Sequence, residues 1–155
     1  MLSPVIRERT PADLDACVRI LAEVHKSAGY PVNWPADPAG WLSPPGTLGT
    51  WVLTLDGEVA GHLIVTSEGA DGALVERLFV DPRRTRGGLG GRLLDHAIVF
   101  AAEQGRRLTL DVVDNHQGAV DFYRRSGWRE AGRTPIDWAG DQASELIRFE
   151  APSVS

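Results

Sequence analysis

LVERLFVDPRRTRGGLGGRLLDHA, the stretch from Leu74 to Ala97, runs from an apolar strand through a basic, glycine-crowded turn directly into a helix. Val75, Leu78, Phe79 and Val80 are large apolar, aromatic or β-branched residues in a short run, which suits a buried strand. Asp81-Pro82 ends it, because proline has no N–H to continue a ladder. Gly87, Gly88, Gly90 and Gly91 then allow a tight turn with no Cβ in the way, so that several N–H groups can converge on one point. A helix opening there adds its unpaired first-turn donors and the positive end of its dipole. Arg83, Arg84 and Arg86 concentrate positive charge at this turn in a chain whose net charge is −5. The combination predicts a cradle for a phosphate or pyrophosphate.

Spacing narrows the choice of ligand. A P-loop requires a Gly-Lys-Ser/Thr ending, and no lysine follows these glycines. The dinucleotide fingerprint GxGxxG fails as well, because Gly88-Leu89-Gly90 is followed by Leu93 where the last glycine belongs. Taken alone, the stretch is also compatible with an ordinary glycine-rich turn.

The chain has 155 residues, enough for one domain over 1–155 that buries roughly 70% of its unfolded surface. A hydrophobic content of 43% and a charged content of 24% are those of a water-soluble globular protein. No apolar run approaches the roughly 20 residues of a membrane helix, and no signal-peptide core opens the chain, so a cytoplasmic protein without a membrane partner is expected. The isoelectric point near 5.3 argues against nucleic-acid binding. Cys17 is the only cysteine, which rules out a disulfide framework and a thiolate metal cluster and leaves it as a packing residue. No metal is expected.

In chain order, Val5 to Arg7 reads as a short strand, and Thr10-Pro11-Ala12-Asp13 as a helix start. Leu14, Cys17, Val18, Leu21 and Val24 follow helical spacing up to Gly29. Tyr30 to Gly49 is a long, proline-rich loop carrying Tyr30, Trp34 and Trp41, which read as exposed. Thr50 to Leu55 and Glu58 to Val65 form a hairpin across Asp56-Gly57. A turn at Gly69 to Gly72 leads into the strand of the opening stretch, completing an antiparallel meander. After the helix that ends near Gly105, Arg107 to Val113 is a strand parallel to its predecessor by the crossover rule. Asp114-Asn115 is expected to cap a helix containing Ala119, Phe122 and Tyr123, which stops at Ser126-Gly127-Trp128. Arg129 to Thr134 and Ser144 to Glu150 are the last strands, with Asp137 and Trp138 in the loop between them.

The chain then resembles the GNAT superfamily of acyl-CoA-dependent N-acetyltransferases over nearly its whole length. The first likeness is LFVDPRRTRGGLGGRLLDHA, similar to the family's pyrophosphate loop Arg/Gln-x-x-Gly-x-Gly/Ala. The second is LTLDVVDNHQGAVDFYRRSGW, similar to its fifth strand, Asn, and Ala-x-x-Phe-Tyr helix. The first helix and the hairpin stand at the expected distances. One departure is Thr85, where the family has Arg or Gln, with Arg84 and Arg86 on either side. The resemblance implies an α/β (α+β) fold: a mixed, mostly antiparallel seven-stranded sheet, splayed between strands four and five and flanked by helices. It implies acetyl-CoA as co-substrate, held by Arg84, Thr85, Arg86, Gly87, Gly88, Leu89, Gly90, Gly91 and Arg92 at the pyrophosphate, by main chain at Leu78, Phe79 and Val80, and by Asn115 and Tyr123.

Direct attack of an amine on a thioester needs positioning, a polarising N–H expected at Val80, and two proton transfers. By position Tyr123 matches the family's acid for the CoA thiolate; packing is its alternative role. Glu76 resembles a carboxylate base acting through water; a solvated strand residue paired with Arg77 is the alternative, and His62 is a rival base. The acceptor face in this family lies between the loop after the first helix and the loop between the last strands. Here that places Tyr30, Trp34 and Trp41 opposite Asp137 and Trp138, with Glu76 beneath. Aromatic faces and a carboxylate favour a small-molecule amine or a peptide terminus with an apolar portion. A homodimer is compatible with this. The competing class is a non-catalytic acyl-CoA sensor of the same fold.

Overall fold

The computed structural model describes residues 3–84, 87–114, 118–136 and 145–153. Seven strands form one sheet: β1 (Pro4–Glu8), β2 (Thr47–Leu55), β3 (Glu58–Glu68), β4 (Gly72–Val80), β5 (Arg107–Val113), β6 (Arg129–Pro135) and β7 (Glu145–Glu150). Their spatial order is β1-β2-β3-β4-β5-β7-β6, antiparallel except for β4 with β5. Among the described residues four α-helices accompany the sheet: α1 (Leu14–Ala28), α2 (Pro38–Trp41), α3 (Leu89–Glu103) and α4 (Ala119–Arg125). The mixed, mostly antiparallel seven-stranded sheet expected from the sequence is present, as is the β2–β3 hairpin, whose Asp56 and Gly57 both take positive φ, 54° and 82°.

Two apolar clusters cover the faces of the sheet. Leu93, Leu94, Ala97 and Ala101 of α3 bury against Leu53, Leu63, Val65 and Val75. Cys17, Ile20, Leu21 and Val24 of α1 bury against Val52 and Phe79 on the other face. Val52 and Leu53 thus point in opposite directions, as the two-residue repeat of a strand requires. Cys17 is fully buried, in keeping with a packing role.

Two local expectations need correction. The segment after α1 is not unstructured: Pro38 starts the helical turn α2, Asp37 Oδ1 accepts from Gly40 N–H at 3.2 Å, and β2 begins at Thr47. Helix α4 does not start at an Asp114-Asn115 cap. Its N-cap is Gly118 in the left-handed region, φ 95°, a conformation that a residue without Cβ takes at least cost.

The start of α1 is tied by a carboxylate. Asp13 accepts from Thr10 N–H at 2.7 Å and binds Arg7 through both oxygens at 2.8 Å, fixing the helix to β1. The Arg7 guanidinium holds the Asp13 carboxyl well below the usual carboxylate range. A depressed folded value means that the stabilisation is complete above the unfolded value near 4 and fades as pH falls towards the folded one. Asp13→Ala is therefore expected to cost about 2 kcal/mol at pH 7, with the two proteins converging in stability at strongly acidic pH. Urea unfolding across pH checks this, and equal stability at pH 7 would refute it.

Candidate active site

The β4–β5 ladder holds only from Gly72↔Arg107 to Val75↔Leu110, although both strands continue beyond it. The strands part because β4 bulges. His62 faces Phe79 and Ile64 faces Glu76, so Arg77 and Leu78 together oppose Leu63. Arg77 takes φ 53°, a value that a residue with a Cβ adopts only when its surroundings hold it there. Those surroundings are visible. His62 Nδ1 lies 2.8 Å from Arg77 O, Arg77 Nε donates to Trp41 O at 3.1 Å, and the Tyr30 hydroxyl meets the Arg77 backbone.

The splay opens a cavity of about 540 Å³ bounded by β4, β5, the end of α1, the segment after it, and α4. Glu76, Leu78, Phe79, Tyr30, Trp41 and Tyr123 line it; so do Arg77 and Asp111, which sequence reasoning did not place at the site. Val80 is absent from the lining. Its N–H direction follows from the ladder, however. Asp81 N–H donates to Ala60 O at 2.8 Å, and alternation along an antiparallel strand turns the N–H of Val80 away from β3, into the splay.

Tyr123 is held by ring contacts with Phe122, Trp128 and Phe149 at centroid distances of 5.2, 6.3 and 5.9 Å. Burial pushes its phenol up to about 12, so it carries its proton at neutral pH. Burial also raises the Tyr30 phenol. Glu76 is a quarter exposed within the cavity, and its Oε1 lies 4.0 Å from Arg77 Nη1, outside hydrogen-bonding range.

His62 is not a base. Arginine has no acceptor, so the 2.9 Å contact from Arg9 Nη1 makes His62 Nε2 the acceptor and places the ring proton on Nδ1, donating to Arg77 O. The ring is fully buried and stacked on Phe79 at 4.9 Å. Burial, with the Arg9 and Arg77 charges, pushes it down to about 4. Its one lone pair is already engaged.

At the far end of β4 the glycine turn meets α3. Gly87 and Gly88 take φ 110° and 69°, and a Cβ built on either would meet nothing within 4 Å. Arg92 N–H closes on Gly88 O at 3.0 Å, so that among the described residues the N–H groups of Leu89, Gly90 and Gly91 have no helical acceptor and form the open first turn. This cradle fits a pyrophosphate. Leu89 itself is buried, Arg92 is exposed, and a Cβ on Gly90 would meet Phe122 Cζ at 3.2 Å, so Gly90 also serves the contact between α3 and α4. Arg84 pairs with Glu58 at 3.0 Å and Arg83 with Asp81 at 3.1 Å. Thr85, Arg86, Asn115, Asp137 and Trp138 lie outside the described residues. Trp34, expected at the acceptor, is exposed beside His25, with ring centroids 5.4 Å apart, and does not line the cavity; Tyr30 and Trp41 are only half-buried and do. Among the described residues no cluster of side chains suits a metal ion, and no helix is long and apolar enough to cross a membrane.

A cleft between parting parallel strands, with open N–H donors at one end and a carboxylate and two phenols at the other, has the shape and chemistry suited to a long carrier ending in phosphates beside a second reactant. Residues 14–128 match the family model described as Acetyltransferase (GNAT) family, and the chain belongs to that family. It is 33% identical over 91 residues to the peptidyl-lysine N-acetyltransferase YjaB of Salmonella typhimurium, an alignment taking in 58% of this chain and 57% of that one. The chain thus spans little more than half the length of that relative. Its fold is similar to the crystal structure of the ribosomal-protein-S18-alanine N-acetyltransferase from Escherichia coli, at TM-score 0.78 and 25% identity, covering 97% of this chain and 94% of that one. It is also similar to a putative streptothricin acetyltransferase from Bacillus anthracis in complex with acetyl coenzyme A, at TM-score 0.74 and 19% identity, covering 96% and 99%.

Proposed function

We propose that this chain is an acetyl-CoA-dependent N-acetyltransferase acting on a primary amine with an apolar portion, by direct attack within a ternary complex. The observation that carries this is the presence of a protonated phenol, Tyr123, and a carboxylate, Glu76, in one cavity opened by the β4 bulge. The glycine turn holds the pyrophosphate, and the pantetheine arm lies along Leu78 and Phe79 as an added strand. The Val80 N–H polarises the thioester carbonyl. The amine nitrogen attacks the carbonyl carbon, the new C–N bond forms and the C–S bond breaks. Glu76 takes the amine proton through water, and Tyr123 gives its proton to the departing CoA thiolate. Tyr30 and Trp41 offer apolar and aromatic surface to the acceptor.

Release of CoA thiol from acetyl-CoA, measured across a panel of amines, tests this. Amine-dependent release is expected. Tight acetyl-CoA binding with no release for any amine would instead favour a sensor.

Gly88→Val is expected to weaken acetyl-CoA binding at least about tenfold, or 1.4 kcal/mol. A β-branched residue at φ 69° strains the turn and fills the open cradle. Calorimetry on the folded variant decides, and unchanged affinity would remove the turn from the site.

A further inference from the structure

Arg77 stands at the apex of the β4 bulge and lines the same cavity as Glu76, Tyr30 and Tyr123. Its guanidinium is held on one face and one edge: the central carbon lies 3.9 Å from the centroid of the Trp41 ring, and Nε donates to Trp41 O at 3.1 Å. Among the described residues, Nη1 and Nη2 make no hydrogen bond, and the nearest carboxylate oxygen, Glu76 Oε1, is 4.0 Å from Nη1. Of the five donors of a guanidinium, those on both terminal nitrogens thus make no hydrogen bond among the described residues, and Nη1 has only the long ion pair with Glu76. The side chain is 20% exposed and lines the cavity of about 540 Å³. A half-buried cation whose planar edge faces a cavity suits a bidentate partner, and a carboxylate is the group that matches it.

The backbone reinforces the point. Glycine or asparagine would take φ 53° with less strain, so an arginine here carries a cost that its side chain must offset. A tether to Trp41 needs only Nε and the ring face. Beside the free edge stands Glu76, the group suited to an ammonium, and around both stand the rings of Tyr30, Trp41 and Tyr123. An anion site adjoining an ammonium site within apolar walls matches a molecule whose amine and carboxylate share one carbon.

We infer that Arg77 binds a carboxylate carried by the acceptor, and that the acceptor is a free amino acid with an apolar side chain. Peptide termini and lysine side chains within a protein have no carboxylate beside the reacting nitrogen and leave the Arg77 edge unpaired. The inference rests on the N-acetyltransferase reading and narrows its substrate class.

The test is thiol release from acetyl-CoA with the twenty common amino acids, their C-terminal amides and the corresponding decarboxylated amines. For the best apolar side chain, the wild-type protein is expected to prefer the acid over the amide by at least about tenfold in kcat/KM, because a site built to hydrogen-bond one group discriminates against its absence. Arg77→Met is expected to bring that ratio to about one, and Arg77→Lys to restore it only in part, since lysine lacks the fork. Equal use of acid and amide by the wild type, or an unchanged ratio in a folded Arg77→Met, would overturn the carboxylate site while leaving amine acetylation standing. No release with any of the three series while other amines support release would overturn the carboxylate site alone, and no release with any amine would overturn both. The wild-type ratio decides even if the variants fail to fold.

Discussion

Replacing Tyr123 by Phe is expected to lower kcat by about 10²-fold, the usual worth of a general acid, with acetyl-CoA affinity changed by less than about twofold. The split follows from where the residue sits. Its ring contributes contacts to Phe122, Trp128 and Phe149 that phenylalanine preserves, whereas its hydroxyl contributes only the proton. The leaving group is a thiolate, and every turnover that expels it unprotonated passes through a less stable product state. Because burial holds the phenol near 12, Tyr123 stays protonated through the neutral and mildly alkaline range. The pH profile of kcat should therefore show no fall below about pH 10 that Tyr123→Phe abolishes. A kcat within about twofold of wild type would make Tyr123 a packing residue and move the acid elsewhere.

The second large effect is expected at a residue that touches neither reactant. His62→Leu leaves Arg77 O without its imidazole donor and removes one of the acceptors of Arg9, which keeps Leu42 O and Ser43 Oγ. The orphaned carbonyl costs about 1–3 kcal/mol, and a loss of that size in unfolding free energy is expected. The bulge should relax with it, since a non-glycine residue at φ 53° stays there only while its tethers hold. A closing splay narrows the slot for the pantetheine arm, and acetyl-CoA KM should rise about tenfold or more. His62→Asn, whose amide can still donate near the Nδ1 position, should recover part of both losses.

The same histidine sets an acid limit on stability. Its folded value near 4 lies below the unfolded value of about 6.5, so between these the unfolded chain holds the extra proton. Stability is then complete above pH 6.5 and declines as pH falls towards 4. His62→Leu should lack that decline. Wild-type acetyl-CoA KM and urea midpoint in His62→Leu would show that the bulge holds itself.

Much of this architecture is legible in the residues before any coordinates are seen. Asp56-Gly57 demands a hairpin, because two successive positive φ values fit those residues and few others. The glycines from Gly87 to Gly91 before an amphipathic helix demand a tight turn with free N–H donors, and the strand-helix-strand order around them makes β4 and β5 parallel. These are local signals, written within a few residues of the structure they cause. Tyr123 came into view through the resemblance of its Ala-x-x-Phe-Tyr helix to that of the GNAT superfamily.

The acceptor end was legible only in part. Tyr30, Trp34 and Trp41 look alike as aromatics in a proline-rich loop, yet Tyr30 and Trp41 line the cavity while Trp34 lies exposed against His25. Nothing within the loop distinguishes them, because the choice is made by the Arg77 guanidinium that the fold lays over Trp41. His62 is equally opaque. A histidine between alanine, glycine and leucine on a strand reads as a base or as core, and only the arrival of Arg9 from 53 residues away and of Arg77 O from 15 residues away assigns its lone pair and its proton. Local sequence thus determined the strands, the helices α1 and α3 and the glycine turn between β4 and α3, since backbone propensity and glycine sterics act over a few residues. The partners of Glu76, His62 and Arg77 were decided by tertiary structure, since a side chain's charge and hydrogen bonds depend on groups that only the folded sheet brings within reach.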